Sequence, residues 1–135
     1  MKKALPLLLF LTLLTFILCG CSGSKLSDIF DEQTVTDSAK AVATYLSEGD
    51  WDKVEALMGP ELKTALPDGS LETALGEKVA SLGAFIEFSS TAVVGQSQNG
   101  EDYATAIVIC KYDNGKATYT LSFSEAMLLI GLYMK

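Results

Sequence analysis

The sequence predicts an α+β domain in which N-terminal helices pack on one face of a curved antiparallel sheet. Two observations carry this. Apolar residues recur at helical spacing from Asp37 to Gly83 and at a spacing of two thereafter, and Asn-Gly pairs punctuate the second half. Helices first and strands afterwards put the helices together on one side of the sheet.

Ahead of that domain, the first eighteen residues, MKKALPLLLFLTLLTFIL, set two lysines before an uncharged, mostly apolar run from Ala4 to Leu18. A charged head and an apolar run of this length make an export signal. The run matches the roughly 20 residues of a membrane span only if Cys19 to Cys21 are counted. Leu18-Cys19-Gly20-Cys21 then places an aliphatic residue three positions before a cysteine and a small one directly before it. The stretch resembles a bacterial lipoprotein signal with Cys21 as acceptor, cut between Gly20 and Cys21; taking Cys19 instead puts bulky Leu18 at the cleaved position. The resemblance implies a diacylglyceryl thioether on Cys21, with fatty acyl chains such as palmitate, and a lipid-anchored location on the extracytoplasmic face of the cell membrane. A zinc or redox reading of the two cysteines is weaker, because only Cys110 remains elsewhere and the chain has no histidine.

Residues 1–20 are thus expected to be signal, 21–36 the lipidated N-terminus and tether, and 37–135 one domain. Beyond residue 20 the chain carries eight lysines, no arginine and seventeen acidic residues, a formal charge of −9. Such a surface repels phosphates and lacks the guanidinium forks that read them, which argues against nucleic-acid binding.

The stretch SGSKLSDIFDEQTVT reads as a coil. From Asp37, Ala39, Val42, Tyr45 and Leu46 mark one helix closed by Gly49; Asp50 then caps a short helix with Trp51, Val54, Leu57 and Met58, ended by Gly59-Pro60. Pro60 opens a further turn to Leu66, and Ser70 caps a helix with Leu71, Leu75, Val79 and Leu82, ended by Gly83. Extended segments follow: Ala84 to Gln96 with a bend at Ser89-Ser90, Tyr103 to Tyr112, and Lys116 to Ser124, with Met127 to Met134 closing the chain. Asn99-Gly100 and Asn114-Gly115 are hairpin turns, because both central residues of a tight type I′ turn need positive φ.

YLSEGDWDKVEALMGPELKTAL, LGAFIEF and the terminal LIGLYMK together resemble the bacterial family catalogued as domain of unknown function 3887. The resemblance implies a nuclear-transport-factor-2-like, cystatin-like fold with a conical cavity under the helices, and no established activity.

Candidate chemistry is sparse. Asp50 and Asp52 flank Trp51 and read first as helix caps. Glu87, between Ile86 and Phe88, is expected to share a face with Phe85; were that face to line the cavity it would be a general acid or base, and were the strand at an edge it would be a solvated charge. Cys110 alternates with Ala104, Ala106 and Val108 and reads as a small buried hydrophobe. No metal site or cofactor is expected. The strand from Tyr103 to Tyr112 is apolar on both faces and needs two covers: helices for one, and a second copy of the chain for the other.

The leading expectation is therefore a lipid-anchored binding or assembly module, holding a small apolar ligand in its cavity or a partner on its sheet. The alternatives are a small enzyme using Glu87, with a tyrosine such as Tyr119, and a passive envelope spacer. An open apolar pocket with a buried carboxylate favours the enzyme, one without it favours binding, and a filled core favours the spacer.

Overall fold

The computed structural model describes residues 25–135. Cys21, Leu18, Gly20 and the whole signal segment lie outside the described residues.

Helix α1 spans Glu32–Glu48 and begins five residues before the sequence reading placed it. Asp31 is the reason: its carboxylate accepts from Thr34 N at 2.9 Å and Thr34 Oγ1 at 2.8 Å, satisfying a donor that the first turn leaves free. Val35, Ala39, Val42, Ala43 and Leu46 form its buried stripe, and Gly49, at φ 74°, ends it. Ahead of the cap, Phe30 is buried and Leu26 packs on the core, so the expected coil is already part of the domain from Leu26.

Three shorter helices follow: α2 (Trp51–Leu57), α3 (Pro60–Ala65) and α4 (Ser70–Leu82). Asp50 holds the N-cap position of α2, but its side chain makes no capping bond and faces Lys53 Nζ at 3.5 Å instead. Gly69, at φ 86°, caps α4 in place of Ser70, which is the first helical residue.

The chain closes as a meander of β1 (Phe85–Gln98), β2 (Glu101–Tyr112), β3 (Gly115–Phe123) and β4 (Leu129–Met134), each pairing antiparallel with the next. Asn99 and Gly100 take φ 54° and 81°, the expected turn. The second turn shifts by one residue, with Tyr112 pairing Gly115 across Asp113-Asn114. That loop is held by the end of α4 and the link to β1: Asn114 N donates to Leu82 O at 2.9 Å and Asp113 N to Ala84 O at 3.0 Å.

One face of the sheet is interior. Ala104, Ala106, Val108, Cys110 and Tyr112 of β2 lie opposite Phe123, Leu121, Tyr119, Ala117 and Gly115 of β3, and α1 packs across them. Irregularities between Phe85 and Glu87 and between Phe88 and Ser90 bend β1 where the Ser89-Ser90 bend was expected. The fold is α+β, helices on one face of an open, curved antiparallel sheet. Among the described residues no helix is long and apolar enough to cross a membrane.

Candidate functional site

Three places compete for function: the interior beneath the helices, the opposite face of the sheet, and a cleft at one end of that face.

The interior is packed. Tyr119, Phe123, Leu121 and Val108 from the sheet meet Val35, Val42 and Leu46 of α1 and Leu71 of α4, all buried in one cluster. The polar groups there form a closed relay. Ser47 Oγ donates to Ala43 O at 2.7 Å, so it receives its 2.6 Å bond from the Tyr112 hydroxyl. Tyr112 has then spent its proton, and the 2.8 Å contact with Tyr119 must be donated by Tyr119. The order Tyr119, Tyr112, Ser47, Ala43 C=O is fixed by its last member. No buried side-chain polar atom among the described residues lacks a partner.

Electrostatics keep these groups neutral. Burial pushes the Cys110 thiol up to about 11, partly countered by the Tyr112 hydroxyl. Burial likewise raises Tyr112 and Tyr119, and in Tyr119 the bond it donates to Tyr112 adds to the effect. A protonated thiol and two protonated phenols with no base beside them carry no nucleophile and no acid–base step. The relay instead ties the C-terminal turn of α1 to the two central strands of the sheet near their Lys111–Lys116 end.

Glu87 is not in this interior. The irregularity at Ile86 turns it to the other face, opposite Lys111 and exposed to solvent. The expectation that it shares a face with Phe85 fails because one extra residue in a strand reverses every side chain after it. Glu87 and Tyr119 therefore stand on opposite sides of the sheet.

That outer face carries Ala92, Val94, Thr105, Ile107, Ile109, Thr118 and Thr120, judged by their pairing partners. It is uncharged at its centre, and its β-branched residues are half-buried only by one another; Thr105, at 6% exposure, bonds Ser122 Oγ at 3.0 Å. Charges gather at the ends. Lys111, Lys116 and Lys135 mark one end, where Lys135 pairs with Thr118. At the other end an open cleft of about 780 Å³ is lined by Glu61, Glu101, Asp102 and Glu125 with Tyr103 and Ser122. Among the described residues no group of three or more His, Cys, Asp or Glu is placed to hold a metal ion.

Sequence reasoning missed the relay. Its signal was present: Tyr112 and Tyr119 each fall on an apolar alternating face, where a phenol oxygen must find a partner. The partner, Ser47, could not be named without knowing which turn of α1 crosses them.

The model of the family described as protein of unknown function (DUF3887) matches residues 39–132. The chain belongs to this family. An NMR structure of a protein from Ruminococcus gnavus ATCC 29149 has a similar fold, with a TM-score of 0.72 and 25% identity, covering 83% of this chain and 97% of that one. No curated protein matches the chain. The DUF3887 match starts within α1 and ends in β4, so it embraces the relay and the open sheet face together.

Proposed function

We propose that this DUF3887 protein is a lipid-anchored extracytoplasmic bacterial assembly module, held to the membrane through Cys21, that works through the outer face of its sheet rather than through an interior cavity. The observation that carries the reading is the contrast between the two faces. The helix-covered face is filled by Tyr119, Phe123 and their neighbours, while the other offers an uncharged, β-branched centre with no element over it among the described residues. Exposed solvated charge at Glu87 and a buried phenol at Tyr119 leave the enzyme reading without a shared site. The nuclear-transport-factor-2-like, cystatin-like assignment belongs to the same proposal; the long α1 laid across a meander supports it, and its conical space is occupied by side chains.

The occupant this face fits is a second copy of the chain. Four strands about 4.8 Å apart present roughly 600–700 Å², near the ~800 Å² per partner of a standard interface. Thr, Ile, Val and Ala side chains can meet the same set across a two-fold axis without burying a charge. Sedimentation of the tag-free domain at micromolar concentration is expected to give a dimer mass, and Ile109→Lys to give a monomer of unchanged stability. A monomeric wild type refutes the pairing. Intact mass of natively expressed protein is expected to show diacylglycerol on Cys21; a retained leader or a bare thiol there refutes the anchor.

A further inference from the structure

The chain enters the fold near one end of the sheet. The backbone of Lys25 and Leu26 lies directly on Gly95, where a Cβ would come within 2.9 Å of Leu26 Cα and closer still to the Lys25 carbonyl. Only glycine leaves room for this crossing. Leu26 and Phe30 then join the core and Asp31 caps α1, so the path is fixed from the crossing onward. Gly95 pairs with Ala104, three pairs from the close of the β1–β2 ladder at Gln98 and Glu101. Lys25 to Asp28 share a cleft with Gln96, Ser97 and Asp102 at this acidic end, and α1 leads away to the opposite end, where Ser47 meets Tyr112.

Resting on the lipidation of Cys21, we propose that this crossing shortens the tether to a leash of four residues that sets the domain upright, with its β1–β2 turn toward the bilayer and its Lys111–Lys116 end away. From Cys21 to Lys25 the chain reaches at most about 14 Å. Along β1, Gln98 stands about 10 Å from Gly95 on one side and Glu87, beside Lys111, about 26 Å on the other. Bringing the Lys116 end down and the turn end up would hold Lys25 farther from the lipid than the leash extends. The turn end is acidic, with Glu101, Asp102 and Glu125 around it, so no attraction to anionic headgroups draws it in. The covalent leash alone excludes the reverse orientation. The surface presented outward then carries Lys111, Lys116 and Lys135 beside the exposed Phe85 and Ile86.

The test uses full-length protein purified from bacterial membranes with its native N-terminus, carrying either Gln98→Cys or Lys116→Cys. Both positions are exposed, whereas Cys110 is buried and escapes labelling. A thiol-linked fluorophore is quenched by nitroxide-headgroup lipids in phosphatidylcholine–phosphatidylglycerol vesicles. The probe at position 98 is expected to be quenched several-fold more than that at 116. Inserting about twelve Gly/Ser residues between Ser24 and Lys25, which adds roughly 20 Å of coil reach, is expected to erase the difference. Equal quenching at the two sites, or a preference that survives the insertion, overturns the leash while leaving the anchor standing. Protein that fails to float with the vesicles overturns the anchor, and the orientation with it.

Discussion

Replacing Tyr112 by phenylalanine removes one oxygen from the interior, and the direction of the relay makes that oxygen the costly one to lose. Tyr119 is fully buried and donates to Tyr112. In Tyr112→Phe its proton loses that acceptor, and the Ser47 hydroxyl is the polar group left within its reach. Taking the 2.8 Å acceptor from a fully buried donor forfeits the bond and, unless Ser47 shifts to meet it, the donor's desolvation, about 1–3 kcal/mol. Tyr119→Phe strands nothing, because Tyr112 still donates to Ser47 and Ser47 to Ala43 O; the loss is one net hydrogen bond, about 1 kcal/mol. The double variant also strands nothing, so it is expected to be more stable than Tyr112→Phe alone. Urea unfolding of the domain at pH 7 measures all three, with midpoint shifts at constant slope read as stability. The ordering wild type, Tyr119→Phe, double variant, Tyr112→Phe is the signature of a directed relay. Equal losses for the two single variants, or a double variant that sums them, would falsify the direction.

Two further outcomes follow from the same coordinates. Cys110, Tyr112 and Tyr119 all hold their protons more tightly in the fold than in the unfolded chain, so the native state binds more protons as pH rises through their unfolded values. Their contribution to stability should therefore be constant below about pH 9 and fall above it. Cys110 alone, moving from 9.0 to about 11, accounts for about 2 kcal/mol by pH 11. Urea midpoints between pH 7 and 11 check this, and Cys110→Ala should flatten part of the slope; a wild-type midpoint unchanged at pH 11 contradicts it. Gly95→Ala drives a methyl group into the backbone of Lys25 and Leu26, which has no flexible side chain to yield. The crossing segment should lift off at a cost of about 1–3 kcal/mol, and trypsin should cut after Lys25 several-fold faster. A variant as resistant as wild type would show that the segment does not bear on Gly95.

The sheet was legible because its information is local. Ala117, Tyr119, Leu121 and Phe123 alternate so strictly that only one face can be interior, and Asn99-Gly100 can do little but turn. What stayed hidden depends on contacts distant in sequence or on an irregularity. The irregularity at Ile86 leaves no mark in composition, yet it moved Glu87 off the face of Phe85 and decided between a cavity carboxylate and a solvated edge charge in favour of the second. The start of α1 was missed for a subtler reason: Asp31 and Thr34 form a cap, but the polar run around them has the composition of a coil. Whether the space under the helices is open could not be read from residue types, since the same tyrosines that would line a cavity instead fill it by bonding across to Ser47.

The proposed leash and the proposed pairing face on the sheet constrain each other. Charge alone favours an antiparallel pair, in which the Lys111–Lys116 end of one copy meets the acidic cleft of the other. On one membrane that arrangement lifts the second copy's Gly95 far above the lipid, by roughly the 15–20 Å that separates it from the mirrored position along β1, and that exceeds the ~14 Å its four residues reach. Two copies anchored and paired as proposed would therefore have corresponding ends together and their two-fold axis along the membrane normal. The like charges this brings close lie at the ends of the face, where water and salt screen them within about 10 Å, while the uncharged Thr105, Ile107 and Ile109 stand at its centre. An interface that is apolar in the middle and charged only at its rim tolerates either orientation in solution, and it is the anchor that would choose between them.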